Sequence, residues 1–232
     1  MRINRIRVTS ITLSFVAGFA DTSTFVGADG LFSAHITGNF VVFAYDIVTN
    51  QISSSWIKLI SFPVFILSVI LSTLIIDNSK NFKKGSNGLL IIESLILIAA
   101  GGLTYFFRYE KWIYILRVFI PMAIVFALGL QNSFGRFSPK DVLAPTTVMT
   151  GNVTQLFIDM TNYLKHIKSG RQEFIDKIQN GICVILPFLI GCVSGGIITK
   201  SLGVSSIVIP GILVFILSRF TDSSNSNLIA AP

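Results

Sequence analysis

Charge is scarce in this chain. Of its 232 residues only 12% are Asp, Glu, Lys or Arg, and two are histidine. A water-soluble domain of this length draws on roughly 25% charged residues to cover its surface, so an ordinary soluble globule is excluded. Cysteine is equally rare. Cys183 and Cys192 lie nine residues apart in one apolar run, a spacing that puts them on different faces of a helix and reads as packing, not as a disulfide or a metal site. Missing too are a nucleophile elbow, a phosphate-binding glycine loop, a paired-histidine metal motif and a cysteine cluster. Nothing positive points to an enzyme, and no cofactor is implied.

Acidic residues are outnumbered, 11 against 18 basic ones, for a net charge of +7. That excess does not point to nucleic acid, because no nucleic-acid module accompanies it. It falls in short clusters between apolar runs: Arg2, Arg5 and Arg7; Lys80, Lys83 and Lys84; Lys165, Lys168, Arg171 and Lys177. Cytoplasmic loops of membrane proteins collect Lys and Arg in this way, which places the N-terminus inside the cell.

What the chain has in plenty is hydrocarbon. Hydrophobic residues make up 52% of it, with 20 Phe. The clearest apolar runs are 8–28, 57–76, 88–107, 113–131, 178–199 and 204–220, each near the ~20 residues that cross a hydrocarbon core of about 30 Å. They are apolar on all sides instead of along one stripe. The fold expected is an all-α integral membrane protein whose main partner is the lipid bilayer. Residues 1–20 imitate a secretory signal, but cleavage after Ala20 would remove part of the repeat described next, so this segment is expected to stay.

The chain repeats itself. Thr37-Gly38-Asn39 and Thr150-Gly151-Asn152 are each followed, seven residues after the Asn, by an acid, Asp46 and Asp159. A long apolar segment comes next in both, with Pro63 in one and Pro187 in the other. Gly18-Phe-Ala-Asp21 parallels Gly129-Leu-Gln131-Asn132, and Ser68 with Ser72 parallels Gly191 with Gly195, two small-xxx-small pairs that let helices approach closely. One membrane domain of two copies follows, about 7–107 and 111–220, with a polar tail at 221–232.

The segments 31–48 and 143–160 are long enough to span but carry polar groups that lipid would not tolerate facing outward. Two arrangements stay open. Each segment is re-entrant or broken, giving about six full spans, or each crosses inside the bundle, giving eight. Counting Lys and Arg hardly separates them. Eight spans would put Lys80, Lys83 and Lys84 outside in one short loop, so six spans plus two discontinuous segments are preferred. Three spans per copy is an odd number, which would invert the copies about an axis in the membrane plane. Residues 78–85 and 162–177 are the expected inner loops.

Glycine between Thr and Asn suits a helix start inside a membrane. Thr37, Asn39, Thr150 or Asn152 would cap the following half-helix, whose free N–H groups and partial positive charge suit an anionic or polar solute. Asn39 and Asp46 fall two turns apart on one face, as a cavity lining would. The blander reading is a helix-breaking turn, with both acids in headgroup water. Asp21 is a carboxylate within a span, which often marks an ion or substrate path, unless the span ends beside it. His35 would relay protons or simply be hydrogen-bonded. Arg117 is expected to snorkel outward. Glu93 is expected near the inner interface and receives no role.

The segments Ala17-Gly-Phe-Ala-Asp21, Phe32-Ser-Ala-His-Ile-Thr-Gly-Asn39, Gly129-Leu-Gln-Asn132 and Thr147-Val-Met-Thr-Gly-Asn152 together resemble the YoaK-type family of bacterial membrane proteins, a domain of unknown function. The resemblance covers about 7–220. Ile36 stands where the family carries Met. Membership implies a bacterial inner-membrane protein of about six spans and implies no substrate.

The function expected is a small secondary transporter or facilitator of a small polar or anionic solute. Its site would be built from Asp21, His35, Thr37, Gly38, Asn39, Gln131, Asn132, Thr150, Gly151 and Asn152, with the two Thr-Gly-Asn motifs facing each other near the membrane midplane. A channel, a non-transporting scaffold and a membrane-embedded enzyme are the alternatives. A homodimer would enlarge so small a bundle.

Overall fold

The computed structural model describes residues 2–50, 52–79, 82–107, 113–137, 146–165 and 171–222. Among them every regular element is helical: α1 (Arg2–Gly27), α2 (Gly38–Val48), α3 (Ile52–Asp77), α4 (Phe82–Phe106), α5 (Ile113–Phe137), α6 (Met149–Lys165), α7 (Arg171–Leu202), a 3₁₀ turn (Gly203–Ile207) and α8 (Val208–Asp222). Hydrocarbon offers no partner for a free N–H or C=O, and a helix satisfies both within itself. That is also why α3, α5 and α7 accommodate Pro63, Pro121 and Pro187 in their interiors.

Four stretches are long and apolar enough to cross a membrane: Ser55–Asp77, Gly85–Phe106, Leu116–Phe137 and Gln172–Phe220. The last holds 49 residues, about 74 Å if fully helical, far more than a hydrocarbon core of about 30 Å. It breaks at Gly203, where φ is +67°, a left-handed conformation that glycine adopts without a Cβ penalty. The expected first span, 8–28, forms α1 but is too polar to meet the same measure. Its polar side chains turn inward instead, with Ser14, Asp21, Ser23 and Thr24 all buried.

Two expected loops are shorter than predicted. α6 runs on through Lys165 and α7 begins at Arg171, where the i,i+4 pair Glu173–Lys177, at 2.7 Å, supports a solvated helical turn. Likewise α4 begins at Phe82. Residues 80–81, 138–145, 166–170 and the tail from 223 lie outside the described residues.

α1 packs along α7, α3 along α5, α4 against α8 and α5, α2 on α3, and α6 on α7. The α1–α7 seam is the tightest. A Cβ on Gly191 would sit 2.2 Å from the Phe15 carbonyl oxygen, one on Gly195 2.5 Å from that of Phe19, and one on Gly18 2.2 Å from that of Phe188. The Gly191/Gly195 pair therefore does face a neighbouring helix, as the small-residue spacing predicts. Ser68 plays the matching part on α3, its side chain filling the space over Gly129 of α5. The successive contacts, Gly191 with Phe15 and then Thr199 with Gly27, run in the same sense, so α1 and α7 are parallel. α4 and α8 are antiparallel, with Gly101 against Ser205 and Val208, and Gly211 against Leu97 and Ile98.

The packing predicts a contrast between two glycines. Gly191→Ala forces α1 and α7 apart, a change expected to cost at least about 1–3 kcal/mol and to lower the melting temperature of the detergent-purified protein by several degrees. Gly102→Ala, where a Cβ meets nothing within 4 Å, is expected to leave it unchanged or raise it slightly.

Candidate functional site

Asp21 lies six residues before the end of α1 and is 4% exposed, so the span does not end beside it. Its carboxylate holds the non-helical segment 31–37. Oδ1 accepts the backbone N–H of Ala34 at 2.7 Å and of His35 at 3.3 Å, and Oδ2 lies 2.7 Å from His35 Nδ1. With Nδ1 committed to the carboxylate, Nε2 is the imidazole's open nitrogen, on a side chain that is 36% exposed. The ring also meets Phe188 of α7 edge-on, with centroids 5.7 Å apart. The site therefore lies where α1 meets α7. His35 is outside the four apolar spans. Its hydrogen bond to Asp21 holds the imidazole above the ordinary histidine range, against the opposing effect of burial and with the charge of Asp21 assisting.

The first Thr-Gly-Asn motif begins a helix, but not as a cap. Thr37 makes no side-chain bond to the start of α2, and it is exposed. The first amides are taken by the preceding turn: Gly38 N–H donates to His35 O, Asn39 N–H to Ile36 O and Phe40 N–H to Thr37 O. No row of free N–H donors is left there for an anion. Asn39 is fully buried and clasps Phe32, accepting its N–H and donating to its C=O, both at 2.8 Å, while also donating to Ser61 of α3 at 2.9 Å. It closes the loop that leads from α1 into α2.

The polar face of α2 does not line a cavity either. Asn39 and Asp46 are its buried residues, and both point at α3. Asp46 pairs with Lys58, which is 2% exposed. The opposite face is apolar and open, with Val41 and Val48 exposed. In lipid this is the favourable way round, polar groups inward and hydrocarbon outward. Asp46 is thus not in headgroup water. Asp159 is buried as well and accepts from Gln155 at 3.0 Å.

The second motif is looser. α6 begins at Met149, so Gly151 sits just inside the helix. Thr150 and Gly151 are exposed and Asn152 is half-buried, its Nδ2 at 3.9 Å from Met149 Sδ. Asn132, the counterpart of Asp21, is half-buried and has no hydrogen-bond partner among the described residues. Its neighbour Gln131 takes that part instead, donating to Leu13 O of α1 at 2.9 Å and to Thr146 Oγ1, just before the second motif, at 3.0 Å. The two motifs are not packed against each other. α2 and α6 share no contact among the described residues, because each is held by its own following helix. Nor do two shallow surface grooves reach them as a pair. One, of about 480 Å³, is an open groove along α6 from Thr154 to Lys165, and the other, of about 330 Å³, lies among Phe15, Pro187 and Leu213.

Lys58 was not foreseen as a site residue. Its signal was a lone cation at the head of an apolar run, twelve residues after an acid, a spacing that only the turn at 49–50 makes meaningful. A buried trio, Ser23, Thr199 and Ser206, was also missed; Thr199 Oγ1 bonds both serines at 2.8 Å. Hydroxyls are too common in helices for spacing to have singled these out.

Two sets of variants test this site. Lys58→Met strands a buried carboxylate and is expected to cost about 3–5 kcal/mol, read as loss of folded protein; adding Asp46→Leu should restore most of it. Asp21→Ala leaves two buried N–H groups without an acceptor, about 1–3 kcal/mol each, whereas Asp21→Asn keeps an acceptor and should fold. The Asp21–His35 pair also has a pH signature. Because the folded protein holds the imidazole above its ordinary range, the stabilisation is complete below that range and is lost as pH rises through the raised value. Melting temperature should fall over that interval in the parent protein and stay flatter in Asp21→Asn.

Residues 9–219 match the family model described as "Protein of unknown function (DUF1275)". The UPF0700 transmembrane protein YoaK of Bacillus subtilis (strain 168) is 22% identical over 210 residues, covering 88% of each chain. No solved structure matches. A family model that spans nearly the whole chain, and a transmembrane relative of the same extent, place this all-helical protein in the DUF1275 family of membrane proteins.

Proposed function

We propose that the protein is a small secondary carrier for a polar or anionic solute, built from two inverted copies of three spans and a re-entrant helix. What supports the duplication is the exchange of partners. The first helix of one half lies on the third helix of the other, α1 on α7 and α5 on α3, while the last helices, α4 and α8, pair with each other in opposite directions. Counting α1 as a span and dividing the 49-residue stretch at Gly203 gives six crossings. The basic N-terminus belongs inside the cell.

The observation that carries the reading is the Asp21 clamp. A buried intramembrane carboxylate is costly and tends to mark a path, and this one holds a detachable backbone loop at the junction of the two halves. Release of loop 31–37 would free Asp21 and the His35 imidazole together, as a gate that opens toward solute. On this reading the solute meets Asp21, His35 and the flank of Phe188, not a space between the two motifs. A non-transporting membrane scaffold is the second reading. It is favoured by Asn39, whose polar atoms are all bonded within the protein.

Uptake into proteoliposomes separates the two. Across a panel of small polar and anionic solutes, the carrier reading expects saturable uptake of at least one. Asp21→Asn should reduce that uptake at least tenfold, or abolish its pH dependence, while the variant remains folded. No uptake of any solute, together with no thermal stabilisation by any of them, favours the scaffold. Uptake unchanged in Asp21→Asn removes Asp21 from the path.

A further inference from the structure

Glu93 sits near the middle of α4, 0% exposed, and among the described residues neither of its carboxyl oxygens has a hydrogen-bond partner. It is not at the inner interface. The residues one turn to either side on its face, Leu90 and Leu97, belong to the main apolar core with Ile124, Ala127 and Leu128 of α5 and Val214 and Leu217 of α8. The antiparallel register that sets Gly211 against Leu97 and Ile98, continued by about one turn, brings Glu93 opposite residues 214–217.

Among the described residues no cation compensates it. α8, α5, the 3₁₀ turn and α3 are the elements packed on α4. Of their charged groups, Arg117 and Arg136 on α5, Arg219 on α8 and Asp77 on α3 are exposed, and Lys58 on α3 is engaged by Asp46. The 3₁₀ turn carries no charged residue. On α4 itself the described ionisable neighbour is Tyr105, exposed near the far end. A carboxylate in apolar surroundings, with neither a cation nor a donor, is one of the costliest groups a fold can hold, and neutralisation is the usual outcome. Two turns earlier on the same face, Ser86 also buries a hydroxyl without a partner among the described residues.

We propose that Glu93 is a proton-binding site in the core of the bundle, carrying its proton in the closed arrangement and releasing it when α4 parts from α5 and α8. The site is distinct from the Asp21 gate: it lies on a different helix, and α1 and α4 make no close backbone approach among the described residues, although both contribute side chains to one apolar core. It does not depend on the protein being a carrier. In a carrier, it would link proton movement to the rearrangement of the α4–α8 pair, because water must reach the carboxyl before the proton can leave.

The test is infrared spectroscopy of the purified full-length protein in lipid. At neutral pH the parent protein is expected to show the C=O stretch of a protonated carboxyl, slow to shift in D₂O, and Glu93→Gln should lack it. Glu93→Gln should also melt no lower than the parent at pH 7, with its advantage growing as pH rises. Should Glu93→Gln fail to fold, Glu93→Asp serves: a carboxyl band displaced in frequency supports the assignment and an unmoved one overturns it. If the parent shows no protonated carboxyl band, or Glu93→Gln loses carboxylate absorption instead, Glu93 is ionised, free or holding a cation, and the proposal fails.

Discussion

Most polar groups that this chain buries find a partner within the chain, because hydrocarbon supplies none; among the described residues Ser14, Ser33, Ser86, Glu93 and one oxygen of Gln131 are left without one. That constraint explains arrangements that would look inverted in water. α2 turns Asn39 and Asp46 toward α3 and leaves Val41 and Val48 outside. α1, too polar to rank with the four apolar spans, is the helix whose seam is tightest, its serines, threonine and carboxylate shielded by α7 and by the loop it clamps. Hydroxyls within helices return to their own backbone, as Ser72 does to Ser68 O and Thr104 to Ala100 O.

Close backbone approach is what makes that shielding dense enough. Where Gly18, Gly191 and Gly195 bring two backbones together, side chains are excluded from the seam, and the polar groups flanking it fall within hydrogen-bond reach. Arg7 with Gln179 and Asn180 closes one end of the α1–α7 pair, and Ser23 with Thr199 the other. Small residues and polar cross-links are therefore one device, since the bonds form only at distances that the glycines permit.

Much of this was legible in the sequence, and the part that was not has a common cause. Runs of apolar residues located the helices, with ends up to seven residues away, because most helices extend their apolar runs by a turn or two of polar residues. Small-xxx-small spacing marked Gly191 and Gly195 correctly, because helical periodicity is local. Asp21 and His35, fourteen residues apart, were both singled out by their chemistry, but nothing in the pattern said that they bond each other. What failed was inference from polarity to water. Asn39 and Asp46 looked like a cavity lining, yet a polar stripe that faces a neighbouring helix reads the same in sequence as one that faces solvent. Lys58 decides between the two, and it becomes a partner only once the chain has turned back on itself. Asn132 failed for a related reason: alignment paired it with Asp21, whereas Gln131, one residue earlier and with a longer side chain, reaches the equivalent loop.

Among the buried charged residues described, Glu93 is the exception that the same constraint isolates. Buried Lys58 has Asp46, buried Asp159 has Gln155, and buried Asp21 has three donors, so each acid or base drawn inward comes with a reason for being tolerated there. Glu93 comes with none among the described residues. A chain that satisfies its other buried charges so fully gains nothing structural from an unpaired carboxyl. The remaining property of a carboxyl in such a place is that it takes up and gives back a proton, and that exchange requires the core around it to open.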